Sequence, residues 1–169
     1  METGYEIAGH DVVAQARTWL GTAFHHQGRL KKTKKSQGGC DCIGLVLGVA
    51  RELKIASPQE EYNHMPLHHY DQNNYSMVPQ EGRLQSVLDR YLMPVNIGQE
   101  QVGDVVLFKI DTMPQHVGIV SDYSYHIREG AGLSSLRGII HCYMAAGKVV
   151  EHRFDELWKK RMVAAYRLF

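Results

Sequence analysis

A cysteine stands at the start of a helix-length apolar segment, directly after an acidic residue. The segment runs from Cys42 to about Ile55, and Asp41 precedes it. Aspartate is a good N-cap because its carboxylate accepts a hydrogen bond from an unpaired amide of the first helical turn. A thiol at a helix N-terminus lies at the positive end of the helix dipole, next to free N–H groups, and both lower its pKa. The pattern therefore predicts a nucleophilic thiolate at Cys42.

A catalytic thiol needs a base within hydrogen-bond reach, and the base needs a third polar group that fixes its tautomer. The chain has ten histidines, so strand periodicity must select among them. His116 begins one strand-like segment and His141 lies in the next. If these strands are neighbours in the right register, both rings lie on one face, which we expect the Cys42 helix to cover. We expect seven of the other eight to be loop or surface residues: His25, His26, His64, His68, His69, His126 and His152.

The elements that must position these groups change character along the chain. Helical periodicity is found over residues 10–20, 42–55 and 81–93, and a short helix is predicted over 155–160. Two-residue periodicity predicts strands over 103–109, 116–120, 139–143, 148–154 and 163–168. Short connections predict an antiparallel meander. Helices followed by strands are typical of an α+β domain, and we expect residues 1–169 to form a single one.

Other segments lack a clear period. Residues 56–80 contain three prolines and several tyrosines, and an irregular segment of this length either lines a substrate cleft or forms an ordered surface excursion. The polar, basic residues 30–37 and the Gly- and Ser-rich residues 121–138 predict loops. Gly44 and Gly48 lower the stability of their helix, which indicates the close approach of another backbone, expected to be that of the sheet.

Composition excludes several classes of partner. A formal net charge of +1 over 169 residues gives no reason to expect nucleic acid or an anionic membrane, since both attractions require clustered positive charge. Three cysteines favour a free reactive thiol over a disulfide framework. The N-terminus lacks the pattern of a signal peptide, and no apolar run reaches about 18 residues. We therefore expect a protein made in the cytoplasm without membrane insertion, and we also expect a monomer that needs no metal or cofactor.

Five motifs, in this order along the chain, resemble those of one family. They are Trp19–Phe24, Asp41–Val46, Gly103–Phe108, His116–Val120, and Ile140–His141 followed by Gly147–Val149. The chain is similar to the NlpC-type cell-wall peptidases, papain-like cysteine hydrolases of bacterial peptidoglycan, over nearly its whole length. The resemblance implies a papain-like core, an antiparallel sheet with the nucleophile helix packed against it. It also implies that Cys42 is the nucleophile, that His116 is the general base and then acid, and that His141 orients His116.

Two positions depart from the family pattern. Phe24 stands where the family usually has tyrosine, so a phenolic O–H near the substrate is absent, and Ile43 stands where it usually has serine. The oxyanion would then rely on backbone amides such as that of Cys42. We expect Phe24, Asp41 and Ile43 to be the substrate- or oxyanion-binding residues. The motif His25–Arg29 and the long 121–138 connection resemble the phage-encoded, tail-associated branch, which implies carriage to the cell wall in a phage particle and phage-tail partners beside peptidoglycan peptides.

Three hypotheses follow. The favoured one is a cysteine peptidase or amidase that hydrolyses stem-peptide amide bonds, the γ-D-glutamyl–diamino acid bond being the family's commonest target. The second is a zinc site formed by Cys40, Cys42 and the two histidines, since four N and S ligands suit tetrahedral zinc, although Cys-x-Cys is tighter than the usual spacing. The third is a non-catalytic tail or wall-binding module on the same fold. Outside the zinc hypothesis we expect Cys40 to be a turn residue without a role and Cys142 to lie in the core.

Overall fold

The computed structural model describes residues 7–78, 80–123 and 137–169. Its helices are α1 (Gly9–Arg17), α2 (Cys42–Glu52), α3 (Arg83–Tyr91) and α4 (Glu156–Arg161). Its strands are β1 (Arg29–Leu30), β2 (Gly39–Cys40), β3 (Met93–Val95), β4 (Val105–Ile110), β5 (Met113–Ser121), β6 (Gly138–Tyr143), β7 (Lys148–Arg153) and β8 (Met162–Arg167). The predicted α+β class is confirmed. The predicted loop over 121–138, with His126, lies mostly outside the described residues.

Six strands form one antiparallel sheet in the order β3-β8-β4-β5-β6-β7. Strands β4 to β7 follow one another in space as they do in sequence, as the predicted meander requires. The meander prediction is wrong for β8, which returns to pair with β4 and places Ala165 opposite Val106. The connection from β7 to β8 contains α4, and short loops alone could not have indicated this return. The edge strand β3 was not predicted, since Pro94 indicated only the end of α3.

Apolar side chains pack on both faces of the sheet. On one face the helices α1 and α2 pack against Val117 and Ile119 of β5. On the other face Trp158 of α4 packs near Val120 of β5. Side chains alternate along a strand, so β5 serves both clusters. Each fully buried aliphatic side chain of this kind stabilises the fold by about 1.5–3 kcal/mol.

Close packing holds α2 in place at two glycines. A Cβ atom at Gly44 would lie 2.1 Å from the carbonyl oxygen of Gly28, and one at Gly48 would lie 2.2 Å from the Trp19 ring. The expected close approach is therefore real, but the neighbours are a loop and an indole ring and not the sheet. In the described part of the chain, no helix combines the length and apolar character that a membrane span requires.

Candidate active site

The first turn of α2 is organised by its N-cap, as predicted. Asp41 has an extended backbone conformation, and its Oδ1 accepts a hydrogen bond of 2.8 Å from the N–H of Gly44. The N–H groups of Cys42 and Ile43 interact instead with the sulfur of Cys42, and both lower the pKa of the thiol. The cap therefore leaves two amides of the helix N-terminus directed at the sulfur.

The sulfur of Cys42 lies where the pairing between β5 and β6 ends. The last hydrogen-bonded pair of that ladder is Ile119 with Ile140. The backbone of Val120 bonds to Asp104 on the β4 side, and main-chain groups alternate in direction along a strand, so the N–H of Val117 points toward β6. This N–H hydrogen-bonds to the Cys42 sulfur. The thiol thus occupies a notch in the sheet, at the place where β6 would otherwise continue the ladder.

His116 and His141 stand side by side, as predicted. His116 Nε2 lies 2.7 Å from His141 Nδ1, and the two residues are 7% and 0% exposed. The prediction that α2 covers their face is wrong, since both rings contact Trp158 of α4, at centroid distances of 5.9 and 4.8 Å. The reason is strand alternation, which turns Val117 and Cys142 toward α2 and the histidines away from it. Cys42 and His116 nevertheless line the same cavity.

A cavity of about 410 Å³ opens onto the thiol, and Cys42 and His116 both line it. The three expected binding residues, Phe24, Asp41 and Ile43, line it as well. Several residues between 67 and 80 form another wall, so this part of the irregular segment does line the cleft. Five of the six predicted site residues thus line one cavity, and the sixth, His141, is bonded to His116.

Burial controls the protonation of the thiol and the imidazoles. It raises the pKa of Cys42 to about 12, the negative charge of Asp41 acts in the same direction, and the three nearby N–H groups oppose both. Burial also lowers the pKa of His116 to about 3, with a further contribution from the positive charge of Arg161. Burial therefore opposes the expected thiolate, although the Cys42 side chain is partly exposed. The cost of burying an ion acts against the effect of the helix N-terminus and favours a neutral thiol and a neutral imidazole.

A third histidine, which the sequence analysis placed at the surface, extends the pair. His152 Nε2 lies 2.9 Å from His141 Nε2, and His152 Nδ1 lies 2.8 Å from the carbonyl oxygen of Arg153. The register of the β6–β7 hairpin puts His141 opposite Val150, and a residue two positions further on the partner strand is a diagonal neighbour on the same face. The hairpin register was the signal that could have found His152.

On the opposite wall, polar groups surround the carboxylate of Asp41. The N–H of Gln27 donates to its Oδ2 over 2.8 Å, and Arg29 Nη1 lies 3.1 Å from its Oδ1. The hydroxyl of Tyr75 donates to Oδ2 as well. Arg29 also pairs with Asp71, with an Nε to Oδ2 distance of 2.8 Å. These contacts connect the cap of α2 to the cleft wall that contains Tyr75.

The NlpC/P60 family model matches residues 21–167. This chain belongs to the NlpC/P60 family. No curated protein matches the chain at a significant level. The phage-tail branch and the extent of the single domain stay predictions.

Solved structures with the same fold are similar to this NlpC/P60 chain at low sequence identity. An NlpC/P60 family protein from Bacillus cereus ATCC 10987 has a TM-score of 0.58 and 18% identity, over 97% of this chain and 41% of that one. The NlpC/p60 domain of peptidoglycan hydrolase SagA has a TM-score of 0.55 and 16% identity, over 95% and 98% of the two chains. NlpC1 from Trichomonas vaginalis has a TM-score of 0.54 and 15% identity, over 98% and 45%. The chain thus spans less than half of the first and third of these, and the likeness shows a papain-like NlpC/P60 fold.

Tyrosines from elsewhere in this NlpC/P60 chain line the cavity, although position 24 is a phenylalanine. Phe24 lines the cavity without a hydroxyl group, whereas Tyr75 places its hydroxyl on Asp41. Tyr75 lies 34 positions from Asp41 along the chain, in a segment without periodicity. No local pattern in the sequence could have assigned it to the site.

The remaining cysteines of this NlpC/P60 domain are buried free thiols. Cys142 lies in the cluster under α2, as predicted, and Cys40 lies in β2 rather than in a turn. Within residues 7–78, 80–123 and 137–169, no group of three or more His, Cys, Asp or Glu side chains is arranged to hold a metal ion. Cys40, Cys42, His116 and His141 are all among these residues, so the zinc hypothesis has no geometric support.

Proposed function

We propose that this chain is a cysteine-type peptidoglycan hydrolase that cleaves amide bonds of stem peptides. Membership of the NlpC/P60 family supports a hydrolase of this class, and one protein of similar fold is named a peptidoglycan hydrolase. The observation that carries the proposal is the single cavity lined by the Cys42 thiol and the His116 ring, with His116 bonded to His141.

Cys42 is the nucleophile and His116 the general base. His116 Nε2 is occupied by His141, so Nδ1 is the nitrogen that takes the thiol proton. Both groups are neutral at rest, and the proton therefore moves to Nδ1 as the sulfur attacks the substrate carbonyl. His116 then donates the proton to the leaving amine as the C–N bond breaks. Water, deprotonated by the same nitrogen, hydrolyses the thioester and restores the thiol.

The helix N-terminus stabilises the oxyanion in this proposal. The N–H of Cys42, which faces the sulfur in the resting site, is the donor for the tetrahedral intermediate. Phe24, Asp41 and Ile43 line the cavity beside it and contact the bound peptide. The γ-D-glutamyl–diamino acid bond is the proposed target, and carriage to the cell wall by a phage particle stays a prediction.

Purified sacculi test the proposal directly. The parent protein, Cys42→Ala, His116→Gln and the control Cys40→Ala are incubated with sacculi, and mass spectrometry identifies the muropeptides released. We expect no release by Cys42→Ala, a rate lowered about 10²- to 10⁴-fold in His116→Gln, and a rate close to that of the parent in Cys40→Ala. The new termini of the products identify the bond that was cleaved.

Two results contradict the proposal. One is a Cys42→Ala variant that releases muropeptides as fast as the parent protein. The other is a parent protein that binds sacculi but releases no peptide, which would support the non-catalytic wall-binding module instead.

A further inference from the structure

We propose that His152 is a positioning residue that determines which nitrogen of His116 carries the proton. The inference rests on the proposed function, in which His116 is the base. His152 is not among the residues that line the cavity, and it acts through His141. Its bonds to His141 Nε2 and to the carbonyl of Arg153, over 2.9 and 2.8 Å, are the observations that carry the argument.

The row of three bonded histidines, His116, His141 and His152, ends at the main-chain carbonyl of Arg153. A carbonyl oxygen can only accept a hydrogen bond, so His152 Nδ1, which lies 2.8 Å from the Arg153 oxygen, must carry a proton. A neutral imidazole has one N–H group, and its other nitrogen is an acceptor. In the neutral ring, His152 Nε2 therefore presents a lone pair to His141.

The lone pair on His152 Nε2 determines the donors and acceptors of the two inner rings, His141 and His116. His141 Nε2 faces that lone pair and must be the donor of the 2.9 Å bond. Burial lowers the pKa of His141 to about 2, so its ring is neutral and its Nδ1 is an acceptor. His116 Nε2, 2.7 Å from that acceptor, must then carry the proton of His116. The proton on His152 Nδ1, at the outer end of the row of three histidines, thus leaves His116 Nδ1 free to accept a proton.

Without His152 the inner pair has two arrangements. Either His116 Nε2 donates to His141 Nδ1, or His141 Nδ1 donates to His116 Nε2. In the second arrangement the proton of His116 sits on Nδ1, and the ring cannot accept the thiol proton. The hydrogen bond that His141 Nε2 donates to His152 Nε2 makes the first arrangement the favoured one. Trp158, with ring centroids 4.8 and 5.8 Å from His141 and His152, holds both rings in place.

Three substitutions of His152 distinguish the effect of its accepting nitrogen from the effect of the size of its ring. His152→Phe keeps an aromatic side chain next to Trp158 but has no acceptor. His152→Gln places an amide oxygen at the reach of Nε2, whereas the amide of His152→Asn is too short to reach His141. His64→Phe, at an exposed histidine, is the matched control.

For muropeptide release, we expect His152→Phe and His152→Asn to lower kcat by about tenfold, as one lost hydrogen bond would, with KM changed by less than about twofold. His152→Gln should recover most of the rate, and His64→Phe should equal the parent. A purely structural role would not be rescued by glutamine. Equal kcat values for His152→Phe and the parent would overturn the proposal.

The nitrogen-15 NMR spectrum of the imidazole rings tests the same inference without any substrate. At pH 8 we expect the parent and His152→Gln to show a protonated Nε2 and an unprotonated Nδ1 in His116. His152→Phe and His152→Asn should show a mixture of tautomers in His116 and His141. An unchanged tautomer of His116 in both variants would overturn the positioning role, even if the chain hydrolyses no peptidoglycan. A failure of the proposed function is therefore distinguishable from a failure of this inference.

Discussion

The two walls of the cleft hold their polar groups in opposite ways. On the sheet side, His116, His141 and His152 are bonded in a row that ends on a main-chain carbonyl. On the helix side, the charged carboxylate of Asp41 is surrounded by donors that include the guanidinium of Arg29. The sheet wall keeps its imidazole rings neutral, whereas the helix wall holds a charged carboxylate in an ion pair.

Burial explains the difference. His141 is fully buried, and a buried cation without an anion nearby is costly, so the rings stay neutral. The side chains of Arg29 and Asp41 are 20% and 7% exposed and form an ion pair, which compensates for the loss of hydration. In the proposed mechanism, the sheet wall therefore directs a proton, whereas the helix wall positions the thiol.

Lowering the pH should produce the largest difference between the two walls, because it acts on the stability that the sheet wall contributes. Burial lowers the pKa values of His116 and His141 to about 3 and about 2, well below the ordinary value of about 6.5. The unfolded chain therefore binds more protons than the native protein below about pH 6.5, and stability falls as the pH is lowered through this range. The expected slope is about 1.4 kcal/mol per pH unit for each ring.

Urea unfolding at a series of pH values between 7 and 4.5 measures this slope. His116→Gln should remove about half of the part due to the two rings, because it leaves one buried imidazole. The exposed control His64→Gln should keep the slope of the parent. A parent-like slope in His116→Gln would show that the sheet wall is not the source of the acid sensitivity.

The second largest effect should come from removing the carboxylate of the helix wall. Asp41→Ala removes the cap of α2 and leaves Arg29 and Tyr75 without their shared acceptor, so the free energy of unfolding should fall by about 3 kcal/mol. Asp155→Ala is the matched control, because Asp155 caps α4 by accepting from Trp158 N–H over 3.1 Å. It should cost only about 1 kcal/mol. Equal losses by urea unfolding would mean that Asp41 acts as a cap alone.

The smallest expected effect concerns Tyr75. Tyr75→Phe removes a hydrogen bond to a carboxylate and should cost about 1.5–2 kcal/mol, whereas Tyr70→Phe removes a bond of 3.1 Å to the neutral carbonyl of Tyr62 and should cost about 1 kcal/mol. Amide hydrogen exchange should increase over residues 71–78 in Tyr75→Phe and stay unchanged in β5 and β6. Faster exchange in β5 as well would indicate that the two walls are coupled.

The parts of this site that could be predicted are those that depend on neighbours in sequence. Asp41 and Cys42 are adjacent and begin a helix with helical periodicity, and His116 and His141 lie in segments with the period of strands. The papain-like α+β fold followed from the same local patterns, together with a resemblance to known motifs.

The rest depends on pairing and burial that no short window contains. The return of β8 to β4 and the position of the rings on the α4 side follow from the order of strands in space. Tyr75 reaches Asp41 from a segment without periodicity. The raised pKa of the Cys42 thiol reflects burial in the folded chain, whereas local capping alone predicted the reverse.

The short ladder between β5 and β6 has a consequence for redesign. Its three pairs, from Ile119 with Ile140 to Ser121 with Gly138, lie between the histidines and the connection that joins the two strands. At about 3.3 Å per residue, the five positions from His116 to Ser121 span about 16 Å of strand. Changes to the sequence beyond Ser121 are therefore separated from His116 by the length of this ladder, and the three pairs keep β5 and β6 in register.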